Sequence, residues 1–248
     1  MTKYKLIALD MDGTLLNEQS EISAENAEWV QRALDAGITV SFSTGRGFAS
    51  ALPFAEQLKL TTPMITVNGG EVWTQPHVLY KRTELSPLYV QQLHELAKQH
   101  PEVWFWAYTT SEIYNKERWF DASENYDSFN WLKFGYYTED DRARELILAE
   151  VQSWGGLEIT NSSLQNIELN PLGISKASAL KDLCEWMGIE MSQVVAAGDS
   201  LNDIAAIREA GLGVAMGNAQ DAVKEAADVV TLTNDKHGVA ELIKRYVL

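Results

Sequence analysis

Short, wholly apolar runs alternate along this chain with stretches whose apolar residues recur at helical spacing. Leu6-Ile7-Ala8-Leu9, Thr39-Val40-Ser41-Phe42 and Met64-Ile65-Thr66-Val67 read as strands buried on both faces. Between the first two, Ser23 predicts the N-cap of a helix carrying Ala27, Val30, Ala33 and Leu34 on one face and closed by Gly37. The alternation returns late in the chain. Val194-Val195-Ala196-Ala197 predicts a strand, followed by a helix with Ile204 and Ile207 that ends at Gly211. Gly213-Val214-Ala215-Met216 and Val229-Val230-Thr231-Leu232 predict two more strands, separated by a helix around Val223. Strands and helices in strict alternation predict an α/β fold with a parallel sheet.

The middle of the chain breaks this rhythm. From 83 to 172 it is dense in aromatic residues, among them Trp104, Phe105, Trp106, Trp119, Phe120, Trp131, Phe134, Tyr136 and Tyr137. The spacing predicts a helix over 88–99, strands over 103–108, 112–116 and 131–137, a helix over 141–154, and strands over 157–161 and 166–170. This is a second α/β layer inserted into the first, with Pro87 and Pro171 suited to linkers at its borders. The predicted domains are 1–82 with 173–248, and 83–172. The 69–81 segment reads as a loop, and 117–130 carries no readable pattern.

Composition narrows the function classes. At 248 residues, 46% apolar and 22% charged, the chain can bury a sizeable core without disulfides or structural metal. It has 20 basic and 35 acidic residues, a net charge of −15. That balance disfavours nucleic acid and anionic membrane surfaces as partners. An anionic ligand would therefore need cations of its own at the site. Cys184 is the only cysteine, which fits a reducing compartment, and its helical setting predicts a buried, inert thiol. The opening MTKYKLIALDMDG has no secretory apolar region, and no apolar run nears the roughly 20 residues that span a bilayer, so a cytoplasmic protein is expected. His77, His94, His100 and His237 lack metal-ligand spacing and read as surface residues.

Four short segments carry the candidate chemistry. Asp10 and Asp12 follow the first strand; residues two apart at a strand end point to one side, toward the edge where open α/β sheets bind ligands. Adjacent carboxylates repel unless a cation neutralises them or one stays protonated. Ser43-Thr44-Gly45-Arg46 ends the second strand and offers a hydroxyl and backbone amides to an anion. Lys176 stands in the first turn of a helix bearing Ala177, Leu180, Leu183 and Met187, where a cation is disfavoured unless an anion joins it. Asp199 and Asp203 flank the segment after the strand at 194–197 and, four residues apart, are expected on one helical face, with oxygens suited to Mg²⁺. Taken singly, each has an ordinary structural explanation as a cap, a turn or a solvated charge. Their joint placement at strand ends is what points to a site.

These segments resemble the four motifs of the haloacid dehalogenase (HAD) superfamily of phosphatases, and nothing in them departs from that pattern. The stretches Gly213–Ala219 and Asn234–Val239 are similar to its Cof-type branch, as is an insertion between the second and third motifs. The resemblance implies a Rossmann-like, doubly wound parallel sheet core with an inserted α/β cap domain. It implies hydrolysis of a small phosphorylated metabolite, with Asp10 as the nucleophile that becomes an aspartyl-phosphate and Asp12 as acid and base. Mg²⁺ would be held by Asp10, the Asp12 carbonyl, Asp199 and, as an outer ligand, Asp203. Thr44, Gly45, Lys176, Asn202 and the Met11 amide would hold the phosphoryl oxygens. Two alternatives stay open: a phosphotransferase or hexose-phosphate mutase, which needs cap cations such as Lys133, Arg142 and Arg144, and a module that merely binds a phosphorylated ligand.

Overall fold

The computed structural model describes residues 3–120 and 125–248, and they divide into two compact units, Met1–Lys81 with Ser175–Leu248, and Arg82–Ile174. The first begins with β1 (Leu6–Leu9), α1 (Ala24–Asp35), β2 (Thr39–Ser43), α2 (Phe48–Gln57), β3 (Met64–Thr66), β4 (Glu71–Gln75) and β5 (Val78–Arg82). The second contains α3 (Pro87–Gln99), β6 (Trp104–Thr109), β7 (Ile113–Asn115), β8 (Trp131–Tyr137), α4 (Asp141–Trp154), β9 (Leu157–Thr160) and β10 (Asn166–Pro171). The first unit then resumes with α5 (Lys176–Met187), β11 (Val194–Gly198), α6 (Ile204–Glu209), β12 (Leu212–Ala215), α7 (Asp221–Ala226), β13 (Val229–Val230) and α8 (Gly238–Leu242). Among the described residues no helix is long and apolar enough to cross a membrane.

The first unit is built on an eight-stranded sheet in the order β13-β12-β11-β1-β2-β3-β4-β5. From β13 to β3 the neighbours are parallel; β4 runs antiparallel to β3. Because β1 is buried on both faces, its side chains divide between two cores. Ile7 and Leu9 pack with Val30 and Ala33 of α1 and with Val239 and Leu242 of α8. Leu6 and Ala8 pack on the other face with Ala177, Leu180, Leu183 and Cys184 of α5. Helices on both faces make the sheet doubly wound. Its strand order reverses at β1, between β2 and β11, and the carboxyl ends of such strands form the ligand crevice of open α/β sheets.

Local chemistry accounts for the element ends. Ser23 caps α1 by accepting from the Asn26 amide, and Gly37 follows at a φ of 80°. Ser175 and Ser178 form a reciprocal capping box that starts α5 at Lys176. Cys184 is buried on that helix, and burial pushes its thiol up to about 11, which keeps it protonated at neutral pH.

The inserted unit has an antiparallel sheet in the order β7-β6-β8-β10-β9. Strand alternation sends Phe105, Phe134, Tyr136, Ile167 and Leu169 into a core with Leu93 of α3 and Ile147 and Val151 of α4. Trp106, Lys133 and Glu168 lie on the opposite face, where the Lys133 ammonium pairs with Glu168 at 3.2 Å, both side chains buried.

Several sequence expectations are corrected here. The 69–81 segment is no loop: β4 and β5 extend the main sheet, although Gln75, Pro76 and His77 had masked the pattern with turn residues. Pro87 and Pro171 are not linkers. Pro87 occupies the first turn of α3, where its missing N–H costs nothing, and Pro171 is the last residue of β10. The strand expected over 229–232 stops at Val230. His94 is not a surface residue: its ring sits among Phe105, Trp119 and Tyr126, and burial, with Lys98 nearby, lowers its pKa to about 4. The aromatic residues of this stretch divide between the two faces of its sheet: Trp131 and Trp119 belong to the helix-side core, while Trp106 lies across the sheet on Gly135. Of the unread 117–130 stretch, 117–120 and 125–130 are described, and Tyr126–Ser128 form a single 3-10 turn.

Candidate active site

The carboxyl ends of β1 and β11 bring together residues far apart in sequence. Asp10 follows β1 directly and continues its ladder, its amide donating to the Ala197 carbonyl at 3.0 Å. Lys176, at the start of α5 and 1% exposed, donates to Asp10 Oδ1 at 2.7 Å and to Asp203 Oδ1 at 2.6 Å. Asp203 Oδ2 accepts from the amides of Asp199 and Ser200 at 3.0 and 3.1 Å. The expected helical face shared by Asp199 and Asp203 is replaced by this arrangement: Asp199 precedes a 3-10 turn over Leu201–Asp203, and the Asp203 side chain folds back onto the loop. Asp199 itself accepts from Thr14 Oγ1 and from Ser200 Oγ, each at 3.0 Å.

Asp10, Asp199 and Asp203 each offer an oxygen, and these oxygens lie within 4.8 Å of one another. Burial, the charges of Asp203 and Asp199, and against them Lys176, leave the Asp10 carboxyl well above the usual carboxylate range. Burial and Asp203 push Asp199 up to about 6, opposed by the hydrogen bond from Thr14. For Lys176, burial favours the neutral amine, but Asp10 and Asp203 outweigh it and raise its pKa. Three crowded carboxylates against one ammonium form a site short of positive charge. Hard oxygen donors at this separation fit a divalent cation such as Mg²⁺.

Gly13 shows how closely the β1 loop approaches. Its φ is +77°, and a Cβ there would lie 2.6 Å from an Asp199 carboxylate oxygen. The loop is tied down from the far end of the chain: Asn218 Nδ2 donates to the Gly13 carbonyl at 2.8 Å, and Asn234 Nδ2 to that of Leu16 at 2.9 Å.

Asp12 stands outside the carboxylate group. Its side chain is 56% exposed and held by Arg46, whose Nε and Nη2 donate to its two oxygens at 2.8 and 2.6 Å. Arg46 also lies over the Phe54 ring. Thr44 is buried, and its Oγ1 accepts from the Arg46 amide at 3.1 Å, folding the loop that contains Gly45. Met11 is fully buried in the apolar core, so only its backbone can serve the site. Asn202 is buried; its Nδ2 donates to Asn68 Oδ1 at 3.1 Å while its own Oδ1 has no partner among the described residues. Sequence reasoning missed Asn68, Thr14 and Ser200, and left the Arg46–Asp12 pair unread. Thr14 was in plain view beside Asp12; Asn68 carried no signal beyond an Asn-Gly pair that reads as a turn.

A doubly wound sheet with clustered carboxylates, a buried lysine and a second unit inserted after β5 defines a class of phosphoryl-transfer hydrolase. A profile of haloacid dehalogenase-like hydrolases matches residues 7–243. The chain is 48% identical to the 5-amino-6-(5-phospho-D-ribitylamino)uracil phosphatase YcsE of Bacillus subtilis over 98% of this chain and 96% of that protein. It is 28% identical to the pyridoxal phosphate phosphatase YbhA of Escherichia coli, over 98% and 99% of the two chains. A solved haloacid dehalogenase-like hydrolase from B. subtilis superposes with a TM-score of 0.88 at 29% identity, covering 98% of this chain and 99% of that one. The chain belongs to the haloacid dehalogenase-like hydrolases and is a phosphatase of that family, Cof-type in its insertion.

Proposed function

We propose that this phosphatase is Mg²⁺-dependent and hydrolyses small phosphate monoesters through an aspartyl-phosphate on Asp10. The observation that carries the reading is the buried Asp10–Lys176–Asp203 bridge beside Asp199, which sets a carboxyl against a fixed cation in a cluster of oxygen donors. Asp10, Asp199 and the Asp12 carbonyl, with Asp203 outside them, would hold the metal, which supplies positive charge to the phosphoryl oxygens.

An Asp10 oxygen attacks phosphorus in line as the ester P–O bond breaks, and Asp12 gives the departing alkoxide its proton. Asp12 then takes a proton from the water that attacks the aspartyl-phosphate, which frees inorganic phosphate and restores Asp10. Lys176, the Thr44 hydroxyl, the Gly45 and Met11 amides and Asn202 hold the equatorial oxygens and spread their charge over fixed donors. To reach the leaving group Asp12 must exchange Arg46 for substrate.

The inserted unit is proposed as the cap that selects the substrate. Its Lys133 is already neutralised by Glu168, which argues for water over a second phosphorylated acceptor. The 48% identical relative makes 5-amino-6-(5-phospho-D-ribitylamino)uracil the first ester to assay, with pyridoxal phosphate second. Purified protein should release phosphate from one of these and from p-nitrophenyl phosphate, stop in EDTA, and restart with Mg²⁺. Asp10→Asn should abolish both turnover and covalent labelling. Undiminished turnover by the metal-stripped protein or by Asp10→Asn overturns the reading.

A further inference from the structure

Beyond β3 the backbone does what L-residues avoid. Val67 and Asn68 both have a φ of 56°, and Gly69 follows at 101°. Asparagine visits the left-handed region readily, but for a β-branched valine it is a genuine outlier. Strain of this kind persists only where the surroundings over-determine it, and it concentrates at functional sites. All three residues are buried.

The turn touches three of the segments assigned above to the phosphoryl group. First, the Val67 amide donates to the Arg46 carbonyl at 2.8 Å and the Asn68 amide to the Thr44 carbonyl at 2.9 Å. In a trans peptide the C=O of one residue and the N–H of the next point opposite ways. Fixing the Thr44 carbonyl toward Asn68 therefore aims the Gly45 N–H away from the turn. Second, Asn68 Oδ1 accepts one N–H of the Asn202 amide at 3.1 Å. Third, a Cβ at Gly69 would lie 2.3 Å from the carbonyl oxygen of Ser175, the residue that caps the helix of Lys176.

We propose that Val67–Gly69 is a positioning turn for the phosphoryl site, and that Asn68 acts through Asn202 by holding its side-chain amide in a fixed orientation. The proposal rests on the phosphatase reading. Asn68 touches no reacting atom; its left-handed backbone is what lets one residue hold the Thr44–Gly45 peptide and Asn202 together.

Asn68→Gly separates these roles, because glycine accepts a φ of 56° without strain and keeps the backbone bond to Thr44 while losing the bond to Asn202. Its kcat should fall about tenfold to a hundredfold, the scale of a small misplacement at a reacting centre. The loss should be equal on an aryl and an alkyl phosphate, since the contact concerns the phosphoryl group and not the leaving group. In an Asn202→Ala background Asn68→Gly should have no further effect on kcat. Wild-type kcat in Asn68→Gly, or losses that multiply in the double variant, overturns the proposal. A readout independent of turnover is the side-chain amide NMR signal of Asn202, identified by its disappearance in Asn202→Ala. Asn68→Gly should shift it without any substrate, and an unmoved signal also overturns the proposal. If wild-type protein hydrolyses no ester, the phosphatase reading fails on its own, and the NMR signal still decides whether Asn68 orients Asn202.

Discussion

Replacing Lys176 by methionine keeps its length and most of its volume but removes the positive charge held between the buried Asp10 and Asp203 carboxylates. The ammonium bonds Asp10 and Asp203 at 2.7 and 2.6 Å with its side chain 1% exposed, so solvent cannot take over either bond. Breaking a buried ion pair from one side costs about 3–5 kcal/mol, because the remaining charge is left uncompensated. In a unit of this size each kcal/mol moves Tm by about 2–4 °C, so thermal unfolding in EDTA at pH 8 should begin roughly 6–20 °C lower. The loss should depend on pH. Asp10 already binds its proton more tightly than a free carboxyl does, and without Lys176 it will bind it more tightly still. A carboxyl whose folded pKa is raised stabilises the fold below its unfolded pKa, and that contribution is lost as pH rises through the folded value. The deficit of the variant should therefore shrink from pH 8 to pH 5. Mg²⁺ should raise the variant's Tm by more than it raises that of the wild type, by restoring positive charge. Lys81→Met is the control: its pair with Asp182 is half in water and should be worth at most about 1 kcal/mol. A Lys176→Met shift of under about 2 °C at pH 8 would refute the reasoning, since so buried a charge pair cannot be removed from one side at that cost.

Asp12→Asn should lower hydrolysis of an alkyl phosphate by ~10²–10⁴-fold and of an aryl phosphate by less, with Tm nearly unchanged; equal losses on both esters would speak against Asp12 as the proton donor. Mg²⁺ affinity, followed by titration calorimetry, should fall with acidity through about pH 6, where Asp199 must release a proton to bind metal, and the raised Asp10 carboxyl adds to the fall in the same direction. An affinity flat from pH 5 to pH 8 contradicts that account. Trp131→Ala should destabilise the inserted unit by about 3–5 kcal/mol while leaving the preference between esters intact, because the ring is fully buried and its Nε1 bonds the Tyr126 carbonyl. Unchanged melting would remove Trp131 from the core.

The fold was legible wherever a strand is buried on both faces. Leu6–Leu9 and Val194–Gly198 are continuous apolar runs because helices cover the sheet on either side, and such runs cannot be confused with exposed ones. Val78, Leu79 and Tyr80 escaped notice for the opposite reason: β5 is exposed along its length, so no burial pattern marks it. Within the site, residues that follow strands were readable, since topology alone carries Asp10 and Asp199 to one edge. The orientation of Asp12 toward Arg46 was not, because it depends on how a loop of four residues closes around Thr44 Oγ1. Nor could Lys176 be known as buried; a lysine in a first helical turn looks the same in sequence whether it meets water or two carboxylates.

The central strand of the main sheet also has a history during synthesis. β1 pairs with β2 soon after both leave the ribosome, but its other neighbour, β11, lies beyond the whole inserted unit. At translation rates of about 5–20 residues per second, the second edge of β1 waits roughly 10–40 s for its partner. Throughout that interval the nascent chain presents a wholly apolar strand with one edge unpaired, and Asp10 has neither Lys176 nor Asp199 beside it. The inserted unit can gather its own core in the meantime, since its helices and sheet are contiguous in sequence. Chaperone dependence in this protein should therefore trace to the delayed pairing of β1, and substitutions that make β1 more hydrophobic should lower soluble yield even where they leave the finished sheet unchanged.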